Sequence, residues 1–106
     1  MSKNETIHQK FLNIPTPRER LRFELKVFTP VGLALEASVT AVSLWTSDGQ
    51  IGILPNHAKY MGLLGTGTLE FVNDTPSKEK TRVQVAGGFC SFANNTLSIL
   101  ADSVEV

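Results

Sequence analysis

One thiol and two imidazoles, Cys90, His8 and His57, are the soft metal ligands of this chain. A structural zinc site needs four nitrogen or thiolate ligands at paired spacings, and these three show none, so no metal is expected. A two-metal centre needs acids clustered in space. Glu36, Asp48, Glu70, Asp74 and Asp102 are scattered and read as solvated surface charge. Nucleophilic catalysis needs a nucleophile, a base and an orienting group. His57 is the one base candidate in the patterned part of the chain, and no Gly-x-Ser-x-Gly elbow accompanies it. Cys90 falls in an alternating apolar segment, which favours a buried, inert thiol over an electropositive, accessible one. Gly62, Gly65 and Gly67 lie close together, but no Gly-Lys-Ser/Thr follows, so a hairpin turn explains them better than a phosphate loop. Neither an enzyme nor a cofactor is expected.

The totals agree with that reading. A chain of 106 residues suits one domain, and 42% hydrophobic against 19% charged residues is a globular mix. Ten basic and ten acidic side chains cancel, so no overall positive field gathers phosphates and no nucleic-acid partner is expected. A single cysteine excludes an internal disulfide and fits a reducing compartment. No apolar run approaches the roughly 20 residues that cross a bilayer, and Met1 to Pro17 contain no apolar core of signal-peptide length. Glu5 and Glu19 argue against a transit peptide, so a soluble protein is expected, touching membrane only through another protein.

The elements that position these residues follow from periodicity. Residues 1–20 are sparse in apolar groups and carry Pro15 and Pro17; they read as a flexible tail or, through Phe11, Leu12 and Ile14, a docked arm. From Leu21 the period is two: Leu21, Phe23, Leu25 and Val27 alternate with Arg22, Glu24 and Lys26. Thr29-Pro30-Val31-Gly32 turns the chain into a strand from Leu33 to Leu44, with Leu35, Ala37, Val39, Ala41 and Ser43 expected on one side. Short runs follow at Ile51–Leu54, Tyr60–Leu64, Thr68–Val72, Thr81–Ala86, Phe89–Phe92 and Leu97–Ala101. Turn residues separate them, notably Pro55-Asn56, Gly65-Thr66-Gly67, Gly87-Gly88 and Asn94-Asn95. One helical turn is expected within Asn56–Gly62. The sum is an all-β sandwich or barrel over residues 21–106.

The cluster Ser47-Asp48-Gly49-Gln50-Ile51-Gly52-Ile53-Leu54-Pro55-Asn56-His57-Ala58 resembles the acidic-Gly-x-x-Gly-Ile-Leu-Pro-Gly-His-Ala signature of the epsilon subunit of F-type ATP synthases, equivalent to the mitochondrial delta subunit. Leu25–Gly32, Gly67–Phe71, Val85–Phe89 and Leu97–Ser103 are similar to four further pieces of that family, in order and at matching spacing. Each piece alone is weak, and five in register are specific.

The resemblance implies a flattened sandwich of roughly ten short strands, part of the central stalk, gripping the gamma subunit and resting on the c-ring. Through that position it implies coupling of proton flow to ATP synthesis, on the cytoplasmic face of a bacterial cell membrane, with no chemistry in the domain and no small-molecule ligand. Ser47, Asp48, Gly49, Gln50 and Ile51 carry over as a ring-facing loop, stiffened by Gly49, Gly52 and Pro55. His57, Trp45, Pro55 and Asn56 carry over as candidates for the gamma and ring interface, and Gly52, Gly87 and Gly88 as structural turns. A turn histidine bonded to backbone is an equally good and compatible reading of His57.

The departures are specific. Gln50 stands where the family usually has an acid, turning an ionic contact into a neutral hydrogen bond on the order of 1 kcal/mol. Asn56 replaces a glycine and tolerates positive φ. Lys59 replaces a common proline. Trp45 replaces another, and an exposed aromatic there suits an interface better than a core. Most family members continue into a C-terminal helical hairpin. This sequence stops at Val106, so hairpin-type inhibition and the hairpin's nucleotide site are expected to be absent. Two other readings need different features: a peptide- or sugar-binding sandwich needs an exposed platform from Trp45, Tyr60 and Phe92, and a small hydrolase needs His57 as base.

Overall fold

Alternation dictates the first pairing: the odd-numbered residues from Phe23 to Val27 are buried while their even-numbered neighbours stay partly exposed. A computed structural model describes residues 21–105. The arm expected over residues 1–20, and Val106, lie outside the described residues. The strands are β1 (Phe23–Thr29), β2 (Gly32–Thr46), β3 (Gly49–Ile53), β4 (Tyr60–Leu63), β5 (Gly67–Asn73), β6 (Lys80–Ala93) and β7 (Thr96–Glu105). All pairs are antiparallel except β1 with β7.

Two long strands turn this single sheet into two layers. Strand β2 pairs with β1 as far as Val39, then with β3 and β5 from Val39 to Thr46. Its register skips Thr40, since Val39 faces Asn73 and Ala41 faces Val72. That β-bulge reverses the face on which every later side chain of β2 lies. Val42, Leu44 and Thr46 are consequently buried, and Ala41 and Ser43 leave the core side expected for them. Strand β6 pairs with β5 from Lys80 to Val85 and with β4 from Phe89 to Phe92. The change falls at Gly87 and Gly88, with φ of 65° and 106°. These glycines bend a continuous strand instead of reversing the chain, which corrects the turn expected there.

One layer therefore holds β4, the second half of β6, β7, β1 and the first half of β2. The other holds β3, the second half of β2, β5, the first half of β6 and the end of β7. Seven strands among the described residues thus supply five segments per layer, in line with the roughly ten short strands expected. Between the layers lies one apolar core, including Leu25, Leu44, Ile53, Leu69, Phe92 and Ile99. Phe23 and Phe92 meet edge to face at 5.5 Å.

The turns follow their residue types. Asn94 and Asn95 both take positive φ, 52° and 56°, in the two-residue turn favoured between right-twisted strands. Asn95 also donates from Nδ2 to Arg22 O at 2.7 Å and accepts from Asn56 N at 2.9 Å, tying three segments together. The helical turn expected within Asn56–Gly62 does not form. Asn56, with φ of 63°, instead sits with Pro55 at the centre of a β-turn closed by His57 N to Leu54 O, and Tyr60 onward is β4, where pairing to β6 outweighs local preference.

Candidate functional site

The signature segment forms a β-hairpin, not a loose loop. Ser47 and Asp48 make its turn, and Gly49, with φ of 105°, opens β3 opposite Thr46. The Thr46 hydroxyl lies behind this turn. It donates to Gly49 O at 3.0 Å and accepts from Asp48 N at 3.1 Å. Ser47 N donates to Leu63 O at 3.0 Å, anchoring the turn on β4. Ser47, Asp48 and Gln50 are exposed, and Gln50 Nε2 donates to Ser43 Oγ at 3.0 Å. Ile51 is half-buried against the core, so it supports the hairpin from inside.

Gly52 plays a different part from the one expected. It lies within β3 opposite Ser43, is absent from the positive-φ residues, and faces outward with open space beside it. No tight turn requires it. Trp45 sits across from Gln50 with 43% exposure, and its indole lies over Gly67, where an added Cβ would meet Cδ1 at 2.6 Å.

Pro55, Asn56 and His57 form a second group, gathered against the β6–β7 turn by the bond from Asn56 to Asn95. His57 N donates to Leu54 O at 3.1 Å, its Nδ1 lies 2.6 Å from Ala58 O, and its exposed ring meets Phe92 edge-on. That is the turn histidine read as one option from sequence. The aromatic platform of a sugar- or peptide-binding module does not assemble: Phe92 is buried, Tyr60 is packed against the core, and Trp45 stands apart. Cys90 is buried with Sγ toward Gly62 O at 3.6 Å, and burial pushes its thiol above the usual range, away from reactivity.

Sequence reasoning missed one surface. Directly paired residues share a face, and the pairings Leu33–Phe28, Phe28–Leu100, Leu100–Phe89 and Phe89–Leu63 run across five strands. The row faces outward: Leu33, Leu63 and Leu100 are 53%, 63% and 52% exposed, and both phenylalanines are half-buried. The next row, Met61, Ser91, Ser98, Lys26 and Glu36, is mostly polar. Its signal was present as adjacent apolar pairs, Val27-Phe28, Leu63-Leu64 and Ile99-Leu100, since a strand can turn only one of two neighbours inward. The row ends at Leu63, whose carbonyl holds the hairpin turn, so the two surfaces adjoin.

Comparison with known proteins fits this geometry. The family model described as "ATP synthase, Delta/Epsilon chain, beta-sandwich domain" matches residues 22–106. The ATP synthase epsilon chain of Lactiplantibacillus plantarum is 35% identical over 81 residues, covering 76% of this chain and 57% of the relative. That of Chloroflexus aggregans is 37% identical, covering 76% and 56%, and that of Solibacter usitatus 37% identical, covering 77% and 59%. The chain thus spans little more than half the length of these relatives. A chain in the Euglena gracilis mitochondrial ATP synthase (OSCP/F1/c-ring) shares the fold, with a TM-score of 0.71 at 21% identity over 79% of this chain and 52% of that one. One in the central stalk and c-ring of the Tetrahymena thermophila enzyme gives 0.63 at 19% identity, over 76% and 63%. With the signature hairpin, the two-layered fold and these matches all in agreement, the chain belongs to the ATP synthase delta/epsilon family, of which it carries the β-sandwich domain.

Proposed function

We propose that this domain is the docking module of a central-stalk epsilon subunit, joining gamma to the c-ring and so coupling ion flow to ATP synthesis without chemistry of its own. The observation that carries this reading is the outward row Leu33–Phe28–Leu100–Phe89–Leu63 and its junction with the hairpin. The outer face of a sandwich layer ordinarily alternates into polar residues, and a contiguous apolar strip there is the mark of a covered surface. The strip is bordered along most of one side by the Lys26–Glu36 ion pair and two serines, with the exposed Met61 beside Leu63, which suits a shaped protein surface better than lipid. Gamma is the occupant proposed for it, with Pro55, Asn56 and His57 at the margin of that contact.

The hairpin carries the second contact. Ser47, Asp48 and Gln50 present polar groups to the loops of the ring, with Trp45 beside them as an aromatic anchor. The domain would be held at the membrane through the ring, on the side that bears the catalytic head, which in a bacterium is the cytoplasmic face. Co-expression with gamma tests the reading. The two chains are expected to co-purify in near-equal amounts, whereas a well-folded chain that retains no gamma would overturn it.

A further inference from the structure

Tyr60 belongs to no part of the signature, yet its side chain reaches the hairpin turn. It begins β4 on the inner face opposite Phe92, and its ring lies along the strand over Gly62, where an added Cβ would meet the phenolic oxygen at 2.7 Å. The hydroxyl lies 3.3 Å from Thr46 Oγ1 and 3.3 Å from Asp48 Oδ2. Thr46 Oγ1 already donates to Gly49 O and accepts from Asp48 N. The single phenolic proton is therefore shared between a hydroxyl and a carboxylate, with the charged acceptor the stronger. Among the described residues β3 pairs only with β2, so the outer edge of β3 carries no strand, while the β2 arm is held by Ser47 N to Leu63 O and Gly65 N to Trp45 O.

The geometry points to Tyr60 as a positioning residue, a strut that fixes the angle of the β2–β3 hairpin for its contact with the ring. The role rests on the function proposed above. It acts through Asp48 and Thr46 and touches no partner itself. Gly62 is the space that lets the strut lie flat, and a side chain there would displace it.

The test is Tyr60→Phe in the full chain, which keeps the ring and removes the hydroxyl. Amide exchange at residues 47–51 is expected to rise about two- to threefold, the factor for a hydrogen bond at the weak end of the range, since both phenolic contacts are longer than an ordinary O–H···O bond, while exchange in β1, β6 and β7 stays unchanged. Asp48→Ala should give a similar rise, and the double variant little more than either alone. In the assembled complex, Tyr60→Phe should retain gamma but pump fewer protons per ATP hydrolysed. Unchanged exchange at the turn, a rise spread over the whole sheet, or full coupling despite a loosened turn would each overturn the assignment. A chain that never binds gamma would instead sink the docking reading, before Tyr60 is in question.

Discussion

Three glycines close in sequence or motif do unlike things, and the differences can be measured. Gly88 sits at φ of 106° with the Leu100 backbone against it; a Cβ would meet the Leu100 carbonyl carbon at 2.8 Å and overlap its oxygen. Neither backbone can yield without breaking the β6–β7 ladder. Gly87 also has positive φ, but the group facing it is the Asp102 side chain, which can swing away. Gly52 has ordinary φ and nothing nearer than Val42 O at 4.0 Å. Gly88→Ala is expected to cost about 2–4 kcal/mol, combining strain and overlap. Gly52→Ala should stay within about 0.5 kcal/mol of the parent or gain slightly, since glycine is a weak strand residue. Urea unfolding of both variants checks this, and a severe loss in Gly52→Ala with none in Gly88→Ala would reverse the assignment.

At the scale of elements, the strands that stay in one layer were legible from alternation, and those that change layer were not. β1 and β5 came through closely, because alternate residues at the centre of each are buried, although Leu21, read as the first of the β1 apolar face, lies outside the strand and exposed. β2 did not. A period-two pattern read through Thr40 places Ala41 and Ser43 inside, and only the pairing to Asn73 and Val72 reveals the extra residue. β6 looked like two strands because Gly87-Gly88 resembles a turn when nothing shows that β7 continues past it. The hairpin was legible through its residues, whereas Tyr60 was not, because its role depends on a contact twelve residues away. Deleting Thr40 should restore alternation from Leu35 onward and turn Val42, Leu44 and Thr46 to solvent. Circular dichroism is expected to show loss of the cooperative fold. Thr40→Val, which keeps the residue count, should stay within about 1 kcal/mol of the parent.

The whole molecule sets an outward row of apolar side chains beside a braced hairpin, whose turn residues Ser47 and Asp48 likewise lie outside the core between the layers. The exposed members of the row, Leu33, Leu63 and Leu100, stand outside the core, so their apolar character fits the covering surface proposed for it. Titration calorimetry of purified chain with gamma tests this most directly, comparing the parent with Leu63→Ser, Leu100→Ser and the control Leu21→Ser, itself 69% exposed and outside the row. All four chains should unfold at similar temperatures. The two row variants are expected to bind gamma about tenfold or more weakly, a loss of about 1.4 kcal/mol each, with the control unchanged. Equal affinity for gamma across all four chains would contradict the account.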